Sequence, residues 1–424
     1  MGYYFGTQER ASRVNDTVVG SKSAERPMIE AASPKPTEDL AGHPSCQPGE
    51  SRFDPVTGTW TLFAPHRSQR PDEFVETRER VHSQLECPFC PGNESATPAA
   101  VWIGHCDDVP ILNPSGPQEE RLPSDDQAQE NWTVRVVPNK FPAVSSERPQ
   151  EEKIGGDKNR GAVNAITEHT TPDSTLFQRR CVSGGHEVII ESRNHVQSLT
   201  ELDVAEAALV FKAYRDRLLY WRDVPGIAYM SIFKNVGSRA GASLRHSHSQ
   251  LIATDRVPPM VSTVAERLSN HHLTQGSCLG CDLVRAELKS QSRIIWRDGR
   301  VVAFCPFSSN LPFLVRVTTL EHQPCYEDLS DSDIESVSRL VRRVVSWIEK
   351  ALPETAYNFC LHTRPPGCKD PADAYHWTID IFPRITQMAG FEFGSQCMIN
   401  PVLPEHAASR LRKFARAEDP RRVL

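Results

Sequence analysis

The sequence lacks the features that mark a membrane protein, a nucleic-acid-binding protein or a secreted protein. No run of about 18 apolar residues occurs, so we expect no membrane span. Lysine and arginine total 48 against 54 aspartate and glutamate, a net charge of −6, whereas an electrostatic nucleic-acid binder shows a clustered positive excess. Residues 1–30 contain no apolar stretch of the signal-peptide kind. We therefore expect a cytoplasmic protein that binds neither nucleic acid nor membrane.

Apolar residues are also scarce, at 38% of the chain, which indicates that part of it lies outside any core. Residues 1–50 are poor in apolar residues and have no periodic pattern, so we predict a disordered tail, with a docking peptide as the alternative. Two further polar stretches, at about 113–130 and 145–180, are typical of surface insertions. The 12 cysteines are irregularly spaced and do not indicate a disulfide framework, so metal ligands or buried thiols are expected.

What the sequence does contain is an internal repeat, which organises the chain from residue 51 onward. Each half has a Cys-x-x-Cys pair, a strand, a histidine, a helix, a second strand and a second histidine, in that order. The first half covers residues 51–270 and the second half covers residues 271–424. The repeat predicts an α+β fold made of two similar halves, each with an antiparallel sheet backed by a helix, packed as one body.

The repeat also places two metal-ligand sets at matching positions. Cys-x-x-Cys holds two thiolates on one turn, and zinc readily takes Cys₂His₂ sets. The predicted structural zinc ligands are Cys87, Cys90, His195 and His246 in the first half, and Cys278, Cys281, His322 and His376 in the second. The alternatives are buried thiols with helix-capping histidines, or one ribbon site formed by all four cysteines. The wide separation between the two cysteine pairs disfavours a ribbon.

The candidate chemical centre is the segment His246-Ser247-His248-Ser249-Gln250, which follows a turn containing Gly237 and Gly241. On a strand, alternate side chains share a face, so His246, His248 and Gln250 are predicted to point the same way. A neutral imidazole facing an anion-binding turn is a plausible nucleophile toward phosphorus, and a glutamine can donate to a non-bridging oxygen. We therefore predict His248 and Gln250 as catalytic. The alternative is that all three are ordinary strand residues.

The second half provides an internal control for this assignment. His376 keeps the metal position, but Thr378 stands where His248 stands in the first half. Threonine needs a base to act as such a nucleophile. The second half is therefore predicted to be a structural or substrate-framing copy.

The chain resembles the galactose-1-phosphate uridylyltransferase family, a branch of the histidine-triad superfamily, over about residues 52–412. The motifs that carry this resemblance are Pro65-His66-Arg67-Ser68-Gln69-Arg70-Pro71, Cys87-Pro88-Phe89-Cys90-Pro91-Gly92-Asn93-Glu94, Asn139-Lys140-Phe141-Pro142, His246-Ser247-His248-Ser249-Gln250 and Gly390-Phe391-Glu392-Phe393-Gly394. The resemblance implies a duplicated histidine-triad-like fold, a homodimer, and transfer of a nucleoside monophosphate from a nucleotide sugar to a sugar phosphate.

The resemblance also implies roles for individual residues. His248 matches the family nucleophile, and Glu392 matches a position that contacts the hexose. Positions that hold nucleotide or phosphate groups are matched by Arg67, Arg70, Asn139, Asn235, Ser243 and Gln250. Where some members bind iron, this chain has Asp380 and Phe382, so we expect no iron.

Two features set the chain apart from the best-known form of the family. Ser247 stands between the two histidines, where that form has proline, and a glutamine that some members use on the sugar has no clear counterpart. Ser247 and the Gly-Phe-Glu-Phe-Gly motif also resemble a plant branch of ADP-glucose phosphorylases, which use phosphate as the acceptor. The sequence thus favours transfer from UDP-glucose to galactose 1-phosphate, with phosphorolysis of ADP-glucose as the alternative. A histidine-triad hydrolase and a zinc-stabilised binding protein without turnover remain further hypotheses.

Overall fold

The computed structural model describes residues 50–65, 87–106, 132–145, 182–369 and 371–419. The predicted tail, apart from Glu50, lies outside these residues, and so do Arg67, Arg70 and nearly all of the two polar stretches. Within the described residues, no helix is both long enough and apolar enough to cross a membrane.

Thirteen strands are described. In chain order they are β1 Glu50–Phe53, β2 Trp60–Phe63, β3 Trp102–Gly104, β4 Val134–Pro138, β5 Gly184–Ile190, β6 Tyr229–Val236, β7 His248–Thr254, β8 Ile294–Asp298, β9 Val301–Phe304, β10 Val315–Thr319, β11 Tyr357–His362, β12 Thr378–Pro383 and β13 Met398–Asn400. The described helices are α1 Val204–Asp223, α2 Pro259–Gln275, α3 Leu279–Ser290, α4 Asp331–Ala351, α5 Gly390–Ser395 and α6 Pro404–Glu418.

Ten of these strands form one sheet whose order mirrors the sequence repeat. The order is β3-β4-β5-β7-β6-β11-β12-β10-β9-β8, and every pairing is antiparallel. Counting outward from the central β6–β11 pair, the strands of the first half occupy the same successive places as their counterparts in the second half. The predicted α+β fold with two similar antiparallel halves is therefore confirmed. The predicted boundary between residues 270 and 271 falls inside α2.

A smaller sheet joins the beginning of the described chain to its end. β2 pairs with β1 in antiparallel and with β13 in parallel orientation. The side chain of Arg52 in β1 bonds to Glu405 in α6 at 3.0 Å. This sheet leads into the Pro65–Pro71 motif, of which only Pro65 is described.

Helices α1 and α4 occupy equivalent places in the two halves, and both begin at a side-chain cap. Asp203 accepts from the Glu206 N–H at 2.8 Å, and Ser330 accepts from the Asp333 N–H at 3.2 Å. Such caps satisfy N–H groups that lack a partner in the first turn. The repeat predicted one helix after the first histidine of each half, and α1 and α4 follow His195 and His322 in this way.

The main core lies between these helices and one face of the sheet. Leu251 and Ala253 of β7 are fully buried in it, and Tyr214 of α1 lies 2.6 Å from Ser249. The odd-numbered residues of β7 therefore face α1. Because side chains alternate along a strand, His248 and Gln250 lie on the opposite face, away from the core.

Candidate active site

The first Cys₂His₂ group assembles from three separated parts of the chain. Cys87 and Cys90 lie on one turn, His195 follows β5, and His246 lies just before β7. Their four ligand atoms lie within 4.8 Å of one another. Cys90 Sγ is 3.2 Å from His195 Nδ1 and 3.6 Å from His246 Nδ1. The predicted grouping is therefore present.

The donor set fits a tetrahedral zinc ion. With ordinary zinc–sulfur and zinc–nitrogen bonds, sulfur and nitrogen ligands lie about 3.5 Å apart. The Nε2–H of His246 donates to the Ser192 carbonyl at 2.8 Å, which leaves the Nδ1 lone pair for a metal. Burial lowers the pKa of His246 to about 4, so its ring is neutral at pH 7.

The second Cys₂His₂ group repeats this geometry in the other half. Cys281 Sγ lies 3.5 Å from His322 Nδ1 and 3.4 Å from His376 Nδ1. The other ring nitrogen of His376, Nε2, lies 3.0 Å from the Thr319 hydroxyl. Together with Cys278, these residues bring four ligand atoms within 4.8 Å of one another. Both groups can hold a metal ion, and the second is the more exposed.

His248, the predicted nucleophile, is held in one tautomer by its own strand. Its Nδ1 lies 2.7 Å from the His246 carbonyl oxygen, which can only accept, so Nδ1 carries the proton. In the neutral ring, Nε2 then carries an unshared lone pair. The imidazole is 6% exposed, and this burial lowers its pKa. The ring of Phe89 packs edge-on against it at 5.3 Å between centroids.

A cavity of about 410 Å³ lies beside His248. Its walls include Asn235 and Ser243, both predicted substrate contacts. Gln250, Asn139 and Glu392 are not among the described lining residues. The structure thus places Asn235 and Ser243 in the cavity wall beside His248, and Gln250 lies two residues from His248 on the same face of β7.

Three backbone amides of the glycine-containing turn bond within the turn itself. Gly237 and Gly241 have φ values of 82° and 87°, which favour glycine. The N–H groups of Ala240 and Ala242 both donate to the Gly237 carbonyl, at 3.1 and 3.2 Å, and the Gly241 N–H donates to Ser238. These three amides are therefore occupied within the turn and do not point at an anion.

Asn358, which the sequence analysis did not identify, holds this turn in place. It lies on β11, directly opposite Asn235 on β6. Its amide nitrogen donates to Asn235 Oδ1 at 2.7 Å and to the Ala240 carbonyl at 2.8 Å. A residue of the second half thereby contacts the cavity wall of the first at Asn235. This contact depends on the pairing of β11 with β6 and could not be identified from the sequence alone.

A buried ion pair lies behind the nucleophile on the core side of β7. Lys234 Nζ bonds to Glu191 Oε2 at 2.5 Å, to Ser247 Oγ at 2.9 Å and to the His248 carbonyl at 3.2 Å. The other carboxylate oxygen of Glu191 accepts from Tyr214 at 2.9 Å and from Ser249. Burial alone would raise the pKa of Glu191, but the Lys234 ammonium and the hydrogen bonds from Lys234, Ser247 and Ser249 together lower that pKa.

Gln250 and Asn139 meet at His186 of β5, another residue that the sequence analysis missed. His186 Nε2 lies 2.8 Å from Gln250 Oε1 and 3.2 Å from Asn139 Nδ2. Glu392 lies elsewhere: its carboxylate is buried and accepts from the Ala389 N–H at 3.0 Å, at the start of α5.

Comparisons with known proteins decide the family. An ADP-glucose phosphorylase from Arabidopsis thaliana is 30% identical over 372 residues, which cover 87% of this chain and 94% of that protein. The chain belongs to the galactose-1-phosphate uridylyltransferase family. A galactose-1-phosphate uridylyltransferase from Haemophilus influenzae is 24% identical over 381 residues, or 86% of this chain and 94% of that protein. Residues 152–423 also match a family model described as a domain of unknown function (DUF4921).

Solved structures agree with this family assignment. An ADP-glucose phosphorylase from Arabidopsis thaliana with bound ADP-glucose superposes with a TM-score of 0.67 at 29% identity, covering 87% of this chain and 99% of that one. A uridylyltransferase structure gives 0.60 at 21% identity, with 87% and 99% coverage, and supports the fold alone. The uridylyltransferase family and its histidine-triad-like fold, both expected from the sequence motifs, are confirmed.

In this uridylyltransferase-family chain, the second half lacks a counterpart of the His248 imidazole and the Gln250 amide. Thr378 and Asp380 begin β12 as His248 and Gln250 do in β7. Asp380 is bound by Arg316 through two contacts of 2.7 Å, and this neighbouring cation helps to lower the pKa of Asp380 against the effect of burial. The position that corresponds to Gln250 is thus occupied by an internal ion pair.

Proposed function

We propose that this protein transfers a nucleoside monophosphate from a nucleotide sugar through a covalent nucleotidyl-His248. The observation that carries the proposal is the free Nε2 lone pair of His248, held beside a cavity by a fixed Nδ1–H bond. A buried neutral imidazole in one tautomer is prepared for attack without first losing a proton. Membership of a family that includes nucleotidyltransferases and phosphorylases supports the same chemistry.

The proposed reaction has two displacement steps at one phosphorus atom. In the first, His248 Nε2 bonds to the α-phosphorus while the bond to the bridging oxygen breaks, and hexose 1-phosphate leaves with that oxygen. In the second, an oxygen of the acceptor bonds to the same phosphorus and Nε2 is released. No oxidant or reductant is needed, and His248 ends in its starting state.

For the substrates, we place ADP-glucose and inorganic phosphate first. The plant phosphorylase matches this chain at 30% identity, against 24% for the Haemophilus uridylyltransferase. Glu392, the predicted hexose contact, is not among the described residues that line the cavity; because ADP-glucose and UDP-glucose both carry a hexose, this does not separate the two candidates. The order of the two candidates is therefore the reverse of that drawn from the sequence.

Transfer between UDP-glucose and galactose 1-phosphate is the second candidate. It is supported by the uridylyltransferase relatives, such as the Haemophilus influenzae enzyme at 24% identity. The homodimer implied by the family resemblance and the cytoplasmic location expected from the sequence remain predictions.

Zinc is the metal we propose for both Cys₂His₂ groups. The first would be held by Cys87, Cys90, His195 and His246, and the second by Cys278, Cys281, His322 and His376. Bound zinc would cross-link these segments and stabilise the fold, without itself taking part in the reaction. Because His246 directly precedes the nucleophile strand, the first group would also anchor β7.

A donor and acceptor screen tests the proposed substrates. Purified protein is incubated with ADP-glucose or UDP-glucose, each combined with phosphate, galactose 1-phosphate or neither. The account predicts turnover of ADP-glucose with phosphate more than about tenfold faster than of UDP-glucose with galactose 1-phosphate, a ratio worth about 1.4 kcal/mol of barrier. The reverse ratio would favour the uridylyltransferase. Steady release of nucleoside monophosphate without acceptor would indicate the hydrolase, and no covalent product would indicate a binding protein.

A further inference from the structure

The further inference concerns His186, which lies between two predicted substrate-binding residues. It rests on the proposed function, because it assigns a role in that reaction. His186 projects from β5 beside Gln250 of the neighbouring β7: the registered pairs are His186 with Ile252 and Val188 with Gln250. Residues two apart on a strand share a face, so His186 and Gln250 are diagonal neighbours within reach of each other.

The loop that follows β4 fixes the His186 ring. The Asn139 N–H donates to the His186 carbonyl at 2.8 Å, and the Ala143 N–H donates to His186 Nδ1 at 3.1 Å. A backbone amide can only donate, so Nδ1 is the unprotonated nitrogen. In the neutral ring, the proton therefore lies on Nε2.

Nε2 has two close neighbours, and only one of them can accept its proton. Gln250 Oε1 lies 2.8 Å away and is an acceptor. Asn139 Nδ2, at 3.2 Å, is a donor, because Asn139 Oδ1 already accepts from the Phe141 N–H at 2.8 Å. Two donors cannot bond to each other, so the proton of Nε2 goes to Gln250.

We infer that His186 is a positioning residue that orients the Gln250 amide. With its oxygen held by His186 Nε2–H, Gln250 presents its NH₂ group as the donor. A single orientation matters because a glutamine turned the other way would place an oxygen toward a phosphoryl oxygen, which repels it. The Asn139–Ala143 loop thus sets the His186 tautomer, and that tautomer sets the direction of Gln250 on the face that carries His248.

A double-mutant cycle tests this inference. The measured quantity is the single-turnover rate of nucleotidyl-His248 formation in wild type, His186→Phe, Gln250→Ala and the double variant. His186→Phe keeps a ring of similar size but removes Nε2–H, and we expect a rate loss of about tenfold or more. In the Gln250→Ala background, the same change should cost less than about twofold. An equal loss in both backgrounds would overturn the inference.

The control is His406→Phe, at an exposed histidine of α6, which should leave the rate at the wild-type value. Melting temperatures of all variants show whether a rate loss reflects unfolding. The wild-type rate tests the proposed function, whereas the ratios between variants test His186, so the two failures are distinguishable.

A second measurement does not depend on turnover. In ¹⁵N-histidine-labelled wild-type protein at neutral pH, the His186 ring should show the Nε2–H tautomer. The Nδ1–H tautomer would contradict the inference, because Nε2 could then not donate to Gln250. The signal is assigned from its loss in His186→Phe.

Discussion

At the scale of single residues, the fold fixes both the tautomer and the protonation state of His248. The Nδ1–H bond to the His246 carbonyl fixes its tautomer, and burial disfavours its protonated form. A lowered pKa means that the neutral, nucleophilic ring persists to more acid pH than an ordinary histidine would allow.

The pH dependence of the first step follows from this lowered pKa. The fraction of neutral His248 falls only when the pH passes down through its pKa, which lies below 6.5. We expect the single-turnover rate of nucleotidylation to reach half of its plateau value at a pH below 6.5 and to fall further at lower pH. Stopped-flow or quenched reactions across pH 5–8 measure it, with metal content checked at each pH. A half-maximal rate above pH 6.5, with the metal retained, would contradict this account.

A second prediction at this scale concerns the buried ion pair between Lys234 and Glu191. Removing one partner leaves the other charge buried without compensation, so Lys234→Met or Glu191→Gln should each lower the free energy of unfolding by about 3–5 kcal/mol. The double variant removes both charges and should lose less than the sum of the single losses. Urea unfolding measures all three. Strict additivity would show that the two groups do not interact.

At the scale of elements, the turn between β6 and β7 depends on Gly237. Its φ is 82°, and a Cβ added there would lie 2.8 Å from the Ala356 Cβ. Gly226, between α1 and β6, has a φ of 88° but open space around a Cβ. The two glycines therefore share the same backbone requirement and differ in the packing around them.

Alanine substitution at these two positions separates strain from packing. Each variant should lose about 1 kcal/mol of stability from the positive φ. Gly237→Ala should also displace the turn that Asn358 holds and reduce nucleotidylation, whereas Gly226→Ala should keep the wild-type rate. Thermal unfolding and single-turnover assays check both. Equal rates for the two variants would show that the turn does not shape the cavity.

The helices and strands also show which features of the site can be predicted from the sequence and which depend on strand pairing. The halves, the Cys₂His₂ groups and the place of His248 on a strand follow from spacing and motif, which are properties of the chain itself, and the catalytic role of His248 stays a prediction. Asn358 and His186 act through cross-strand neighbours that are distant in sequence, so only the pairing of β6 with β11 and of β5 with β7 brings them to the site. The anion-binding turn was predicted from its glycines and stays a prediction; that the amides of Ala240, Gly241 and Ala242 bond to the turn's own carbonyls could not be read from the composition.

At the scale of the whole molecule, the two metal groups sit at equivalent places in a duplicated sheet. We expect two zinc ions and no iron per chain. Cys90→Ser and Cys281→Ser should each lose one zinc, and the first should also impair nucleotidylation, because His246 leads directly into β7. Elemental analysis and melting temperatures with and without a chelator measure these effects. One zinc in the wild type would refute the second site, and stoichiometric iron would refute its predicted absence.

The central claim is that His248 becomes covalently nucleotidylated. The most direct measurement is tandem mass spectrometry of the protein after brief incubation with ADP-glucose or UDP-glucose and no acceptor, followed by digestion at neutral pH. The account predicts a nucleoside monophosphate on His248, lost on addition of the acceptor and absent from His248→Ala, while that variant keeps its metal and its melting temperature. A modified residue other than His248, or turnover by His248→Ala above about 1% of wild type, would contradict it, because loss of a covalent nucleophile costs several orders of magnitude.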